Sequence, residues 1–281
     1  MENQRANPLS KYFRQPALYL KLPSNGRWWN SMDLDIPDNR ELPIYPMSAR
    51  DEIILKTPDA LLNGQGMVDV IQSCVPNIKN AWGTPSVDLD ALLISMRIAS
   101  YGSNMDFESN CTHCKHKNLH GVDLTQPLSQ IHCPNFDRHI EYRELKIKLK
   151  PQSYKQVNQG SMINFEEQKI MTALSNESMD ELEKSKLLTA SVQRLIDLGI
   201  DSCVNSTEYI KIDETVVSDR QHIADFYKNS ETEVVRLLQK QIQSLNEEGK
   251  IQPFQLKCES CEQDYQAELT FDYSSFFAQG F

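Results

Sequence analysis

Four of the seven cysteines fall into two C-x-x-C pairs, Cys111 with Cys114 in "CTHCKHKN" and Cys258 with Cys261 in "KCESCEQDY". A thiolate pair at this spacing can aim two soft ligands at one point. A structural zinc takes four ligands in a tetrahedron, so either pair alone is half a site. Joined, the two pairs make a closed four-thiolate centre suited to scaffolding, with no coordination position open for hydrolysis. The difficulty is distance. Four-cysteine sites usually place about 15–20 residues between their pairs, and here 143 residues separate Cys114 from Cys258. Pairing Cys111, Cys114, Cys258 and Cys261 around one zinc is therefore an expectation about the fold. Local closures stay open, with His132 or Cys133 completing the first pair, or His113 or His116 replacing a cysteine.

Other chemistry is poorly supplied. Neither pair opens a helix in the βαβ setting that lowers a redox thiol. The sequence contains no Walker-type loop, no G-x-S-x-G and no H-E-x-x-H. A nucleophile such as Cys203 would need a histidine partner, and the simplest reading of Cys74 is a small buried hydrophobe. No enzymatic activity is expected.

The 281 residues suffice for one large or two modest domains, and 40% hydrophobic with 24% charged residues is globular. A net charge of -10 disfavours nucleic acid as a partner. No apolar run reaches membrane-spanning length, and the polar, proline-broken start lacks a signal-peptide apolar region. The expected setting is the cytosol, where C-x-x-C pairs favour metal over disulfide.

These elements must position the cysteines. Residues 1–25 read as an extended arm, followed by the turn of "LPSNGRWW". Trp28 and Trp29 suit core anchors better than a partner-facing patch. A strand and a helix capped by Ser48 and Asp51 follow, with Pro58 starting another short helix. "SVDLDALLISMRIASYG" is the clearest helix, with Ser86 as cap, Leu89, Leu92, Leu93 and Met96 on its apolar face, and Gly102 at its end. Arg97 suits a solvated flank better than a buried salt bridge. Strand pieces flank each C-x-x-C, and "RELKIKLK" alternates like a strand with one solvated face. Helices occupy about 163–200, a short hairpin falls in "TEYIKIDETVV", and two more helices run to Gly249. No repeat, heptad run or symmetric motif indicates an oligomer.

The fold class is α+β. We divide the chain into the arm at 1–25, an α/β core at 26–150 plus 250–281 with a split zinc ribbon, and a mostly helical insertion at 151–249. The insertion would leave the ribbon through "LKIKLKP" and return through "PFQLK".

The order "LPSNGRWW", "LPIYPMSARDEIIL", "LDALLISMRIASYG", C-x-x-C, and a terminal C-x-x-C followed by "ELTFDYSSFF" resembles the T4-like phage baseplate protein family. The resemblance rests on residues 20–125 and 250–279. Its carriers here are Pro23, Ser24 and Gly26, then Asp51 and Glu52, then Arg97, Ile98, Tyr101 and Gly102. The doubled tryptophan departs from it. Members are tail baseplate hub assembly proteins of contractile-tailed phages. The resemblance implies binding to other tail proteins in the host cytoplasm or the virion baseplate, without catalysis. The competing class is a zinc-ribbon adaptor for a host or transcription protein.

Overall fold

The computed structural model describes residues 7–57, 63–174, 180–268 and 276–277. The expected helix at Pro58, the first six residues of the arm and most of "LTFDYSSFF" lie outside them. Among the described residues the architecture mixes helices with four small antiparallel sheets.

The first core assembles around α3, Ser86–Tyr101. Against it lie β1 (Leu18–Leu20), which pairs with β2 (Leu42–Ile44), and the helices α1 (Ala49–Leu55) and α2 (Gln65–Cys74). The Ser48 hydroxyl accepts from the Asp51 amide, and the Asp51 carboxylate accepts from the Ser48 amide, so the capping box closes as expected. Asp51 also receives Arg14 Nη1 at 3.2 Å and Ser73 Oγ at 2.9 Å. Thus Arg14 and the Leu18–Leu20 strand are docked, and the N-terminal segment is not an arm throughout.

Helix α3 corrects two further expectations. Ser86 is its first residue, with Pro85 at the N-cap and no side-chain cap bond. Arg97 is 2% exposed, donates from Nε to the Phe276 carbonyl at 3.2 Å and stacks on Tyr101. Apart from its ends, the helix is buried nearly all round, because the N-terminal strands, α2 and Phe276–Phe277 cover different sides.

The turn after β1 is fixed on α3. Ser24 N and Oγ donate to Asp88 at 2.8 and 2.6 Å, and Trp29 Nε1 donates at 2.8 Å. Gly26 has φ +83, and a Cβ there would sit 2.2 Å from Ile36 Cδ1. Trp28 meets Phe136 edge-on at 5.1 Å. Both tryptophans are half-buried anchors, as the packing reading expects.

The second core lies under the sheet β5-β6-β7-β8, formed by His139–Tyr142, Leu145–Leu149, Thr207–Ile212 and Thr215–Val217. In β6, Ile147, Lys148 and Leu149 are all buried, so that strand end has no solvated face. Lys148 is held by Asp137 at 3.0 Å, which also binds Arg27 at 2.9 Å. The remaining helices in chain order are α4 (Thr125–Gln130), the pair α5 (Tyr154–Leu174) and α6 (Glu181–Ser206), then α7 (Arg220–Asn229) and α8 (Thr232–Gly249), of which α6, α7 and α8 contribute to this second core. The pair is longer than the sequence periodicity indicates, starting at Tyr154, whose amide donates to the Thr84 carbonyl.

Candidate metal centre

Two β-hairpins present the cysteines. β3 (Asn104–Asn110) pairs with β4 (Lys117–Asp123), and Cys111 and Cys114 occupy the connecting turn. β9 (Phe254–Lys257) pairs with β10 (Asp264–Ala267), and Cys258 and Cys261 occupy theirs. The two turns are copies of one another. Cys111 N donates to His116 O and Cys258 N to Gln263 O, each at 2.9 Å. Lys115 N returns to Cys111 O and Glu262 N to Cys258 O, each at 3.0 Å. Lys115 and Glu262 take the same left-handed conformation, with φ 62 and 56. This local geometry aims both sulfurs of each pair inward.

The hairpins meet turn to turn. Cys111 Sγ lies 3.7 Å from Cys261 Sγ, and Cys114 Sγ lies 3.6 Å from Cys258 Sγ. All four ligand atoms fall within 4.8 Å of one another. A tetrahedral ion with metal–sulfur bonds of about 2.3 Å has sulfur–sulfur edges of about 3.8 Å. The cluster fits that shape and can hold a metal ion. His132 does not join it and bonds the Gln130 carbonyl, while Cys133 lies against Pro134.

Electrostatics at the sulfurs also suit a cation. The amides of Cys114 and His113 point at Cys111 and lower its thiol. Burial opposes ionisation of Cys258, but the amides of Cys261 and Ser260 and the Asn118 side chain outweigh it and bring the thiol down to about 6. At Cys261 the Gln263 amide favours thiolate, yet burial and the three neighbouring sulfurs push it up to about 12. Four thiolates this close repel one another until a positive charge sits between them.

Sequence reasoning missed Asn118. It is 1% exposed, and its Nδ2 reaches Cys258 Sγ at 3.6 Å and the His116 carbonyl at 3.1 Å. Its Oδ1 accepts from Glu259 N at 2.9 Å, so one side chain ties both turns together. Tyr265 does the same beneath them, bonding Ser109 Oγ at 2.7 Å and His120 Nε2 at 3.2 Å. Only tertiary pairing makes either residue recognisable.

A cleft of about 490 Å³ opens elsewhere, between α3, α5, α6 and α8. Asp90, Lys150, Gln156 and Asn246 are among its lining residues, which include no histidine or cysteine.

Residues 21–278 match the family described as T4 bacteriophage base plate protein. The chain belongs to that family. No curated protein and no solved structure matches it. As a base plate family member it is a phage tail structural protein, and interaction with other tail or base plate components follows from the membership. The match runs through the residues between the two cysteine pairs, so family membership spans both hairpins and the helices between them. Among the described residues, no helix is long and apolar enough to cross a membrane.

Proposed function

We propose that the chain is a non-enzymatic hub-assembly protein or retained component of the base plate, and that one structural zinc staples its sequence-distant parts. The carrying observation is the four-sulfur cluster at tetrahedral spacing within a base plate family chain. Cys111, Cys114, Cys258 and Cys261 would supply all four ligands of a zinc ribbon and leave the metal no open position. Zinc fits because sulfur ligands in a tetrahedron suit it, and because the neighbouring amides favour thiolates.

In this reading the core comprises residues 26–150 with 250–281, joined by the docked strand Leu18–Leu20, and 151–249 is a mostly helical insertion that adds two strands to the sheet of the second core and offers surface to other tail proteins. The protein acts by binding during tail assembly in the host cytoplasm, and a retained copy sits in the virion base plate. The adaptor reading has no comparable support, because the family match points to the tail.

Phage carrying a nonsense mutation in this gene should be complemented by the wild-type chain and not by Cys258→Ser with Cys261→Ser. Affinity capture from infected cells should recover tail hub proteins. Recovery of polymerase subunits in their place would reject the assembly role. Mass spectrometry of purified virions separates a retained component from a transient one.

A further inference from the structure

The helix pair α5–α6 distributes its side chains unusually. Its buried middle is polar: Ser191 is 0% exposed and Glu167 4%, with the serine hydroxyl and the Arg194 guanidinium both bonded to the Glu167 carboxylate. Its outside is apolar. Helix α6 alone exposes Leu182 at 63%, Leu188 at 44%, Val192 at 45%, Leu195 at 37% and Ile196 at 51%. At 100° per residue these five share one face of the helix. Positions 182, 185, 189, 192, 196 and 199 advance by alternating steps of three and four, the spacing of a helix–helix seam. None of those six positions carries a charge. The sequence hides this seam because Leu187 and Leu198 are also apolar but half-buried on the other side.

We infer that this face of α6 pairs antiparallel with α6 of a second copy of the chain, about a two-fold axis at Val192. Two features select a second copy. The middle of the stripe is symmetric about Val192, with Leu188 four positions before it and Ile196 four after, while Leu195 would meet Thr189. A two-fold therefore sets Val192 on its mate and Leu188 on Ile196, the self-complementary match that an isologous interface requires. The flanking charges follow that symmetry to within one position. Exposed Lys186 and Asp197 stand six positions before and five after Val192 on one edge of the stripe. Antiparallel pairing brings each Lys186 beside the mate's Asp197, where opposite charges fix orientation. The stretch from Leu182 to Gly199 is about 27 Å long at 1.5 Å per residue, several turns of contact. This goes beyond the proposed base plate role and does not depend on the metal.

Sedimentation velocity of the zinc-loaded full chain should show a concentration-dependent dimer. Val192→Lys should raise the dimer dissociation constant about ten-fold or more, with an unchanged far-UV spectrum. Lys186→Glu should weaken the dimer, and adding Asp197→Lys should restore it. Oxidised Val192→Cys should give a 192–192 linked peptide by mass spectrometry, while Ala190→Cys, off the stripe, should not. A wild-type chain monomeric across micromolar concentrations overturns the inference. So does a dimer that survives Val192→Lys, one that the charge reversal does not rescue, or one that Val192→Cys fails to link.

Discussion

Cys114 Sγ and Cys258 Sγ lie 3.6 Å apart although 144 positions separate them in the chain. Two short hairpins far apart in the sequence therefore converge on one volume, and the four-sulfur cluster is complete only when both arrive. The purified protein should contain about one equivalent of zinc, as a single four-thiolate site requires. Cys258→Ser with Cys261→Ser should abolish it. Elemental analysis decides the matter, and an unchanged zinc content in the double variant would show that the ligands lie elsewhere.

Removing the metal should loosen more than the hairpins. β9–β10 is a two-stranded unit of four residues per strand, marginal by itself. Its contacts with Phe107 and the first turn are held by the sulfur cluster. Binding free energy at such a site becomes folding free energy. A chelator should lower the melting temperature, and confirmed zinc loss with no shift would refute the staple.

Asn118 should tune the site without being a ligand. Partners that orient metal ligands commonly contribute about 10–100-fold in affinity. Asn118→Ala removes the donor to Cys258 Sγ and the acceptor for Glu259 N. Competition against a chromophoric chelator should show weakened zinc binding at unchanged stoichiometry. Unaltered affinity would leave Asn118 a packing residue only.

The sequence made these cysteines legible and left their neighbours obscure, for one physical reason. C-x-x-C is a local pattern whose chemistry is fixed by residue type, so Cys111, Cys114, Cys258 and Cys261 stand out. Asn118 and Tyr265 matter through partners 140 or more positions away, which no spacing rule registers. The capping box at Ser48 was readable because both partners sit within one turn. Arg97 was misread because its cover, Phe276, comes from the far end of the chain. The exposed stripe on α6 was unreadable because periodicity does not say which apolar face a neighbour covers.

Asp88 should be a stability hub. Its carboxylate accepts three hydrogen bonds from Ser24 and Trp29, and it is fully buried. Burial raises its pKa, while those hydrogen bonds pull the other way. Asp88→Ala would strand several buried donors, at a cost of about 2–4 kcal/mol. Asp88→Asn keeps one acceptor oxygen and should cost less. Denaturant midpoints for the two variants test this, and an alanine variant as stable as wild type would mean the N-terminal turn is held by apolar contacts alone.

Asp90, two residues along and facing the cleft, should give the protein a measurable pH signature. Burial pushes its carboxyl up to about 6, against about 3.9 for an unfolded aspartate. Lys150 lines the same cleft but does not neutralise it, and burial in turn lowers that lysine. Between about pH 4 and 6 the folded chain keeps a proton that the unfolded chain has released. Stability from this group therefore falls as pH rises through that window and stays low above it. Asp90→Asn cannot ionise and avoids the loss. The melting temperature of Asp90→Asn relative to wild type should thus rise from pH 4 to 6 and level off by about pH 7. Using the difference between the two proteins cancels the acid titration of other carboxylates. A difference independent of pH would mean that the Asp90 carboxylate is hydrated in the cleft and titrates as it does in the unfolded chain.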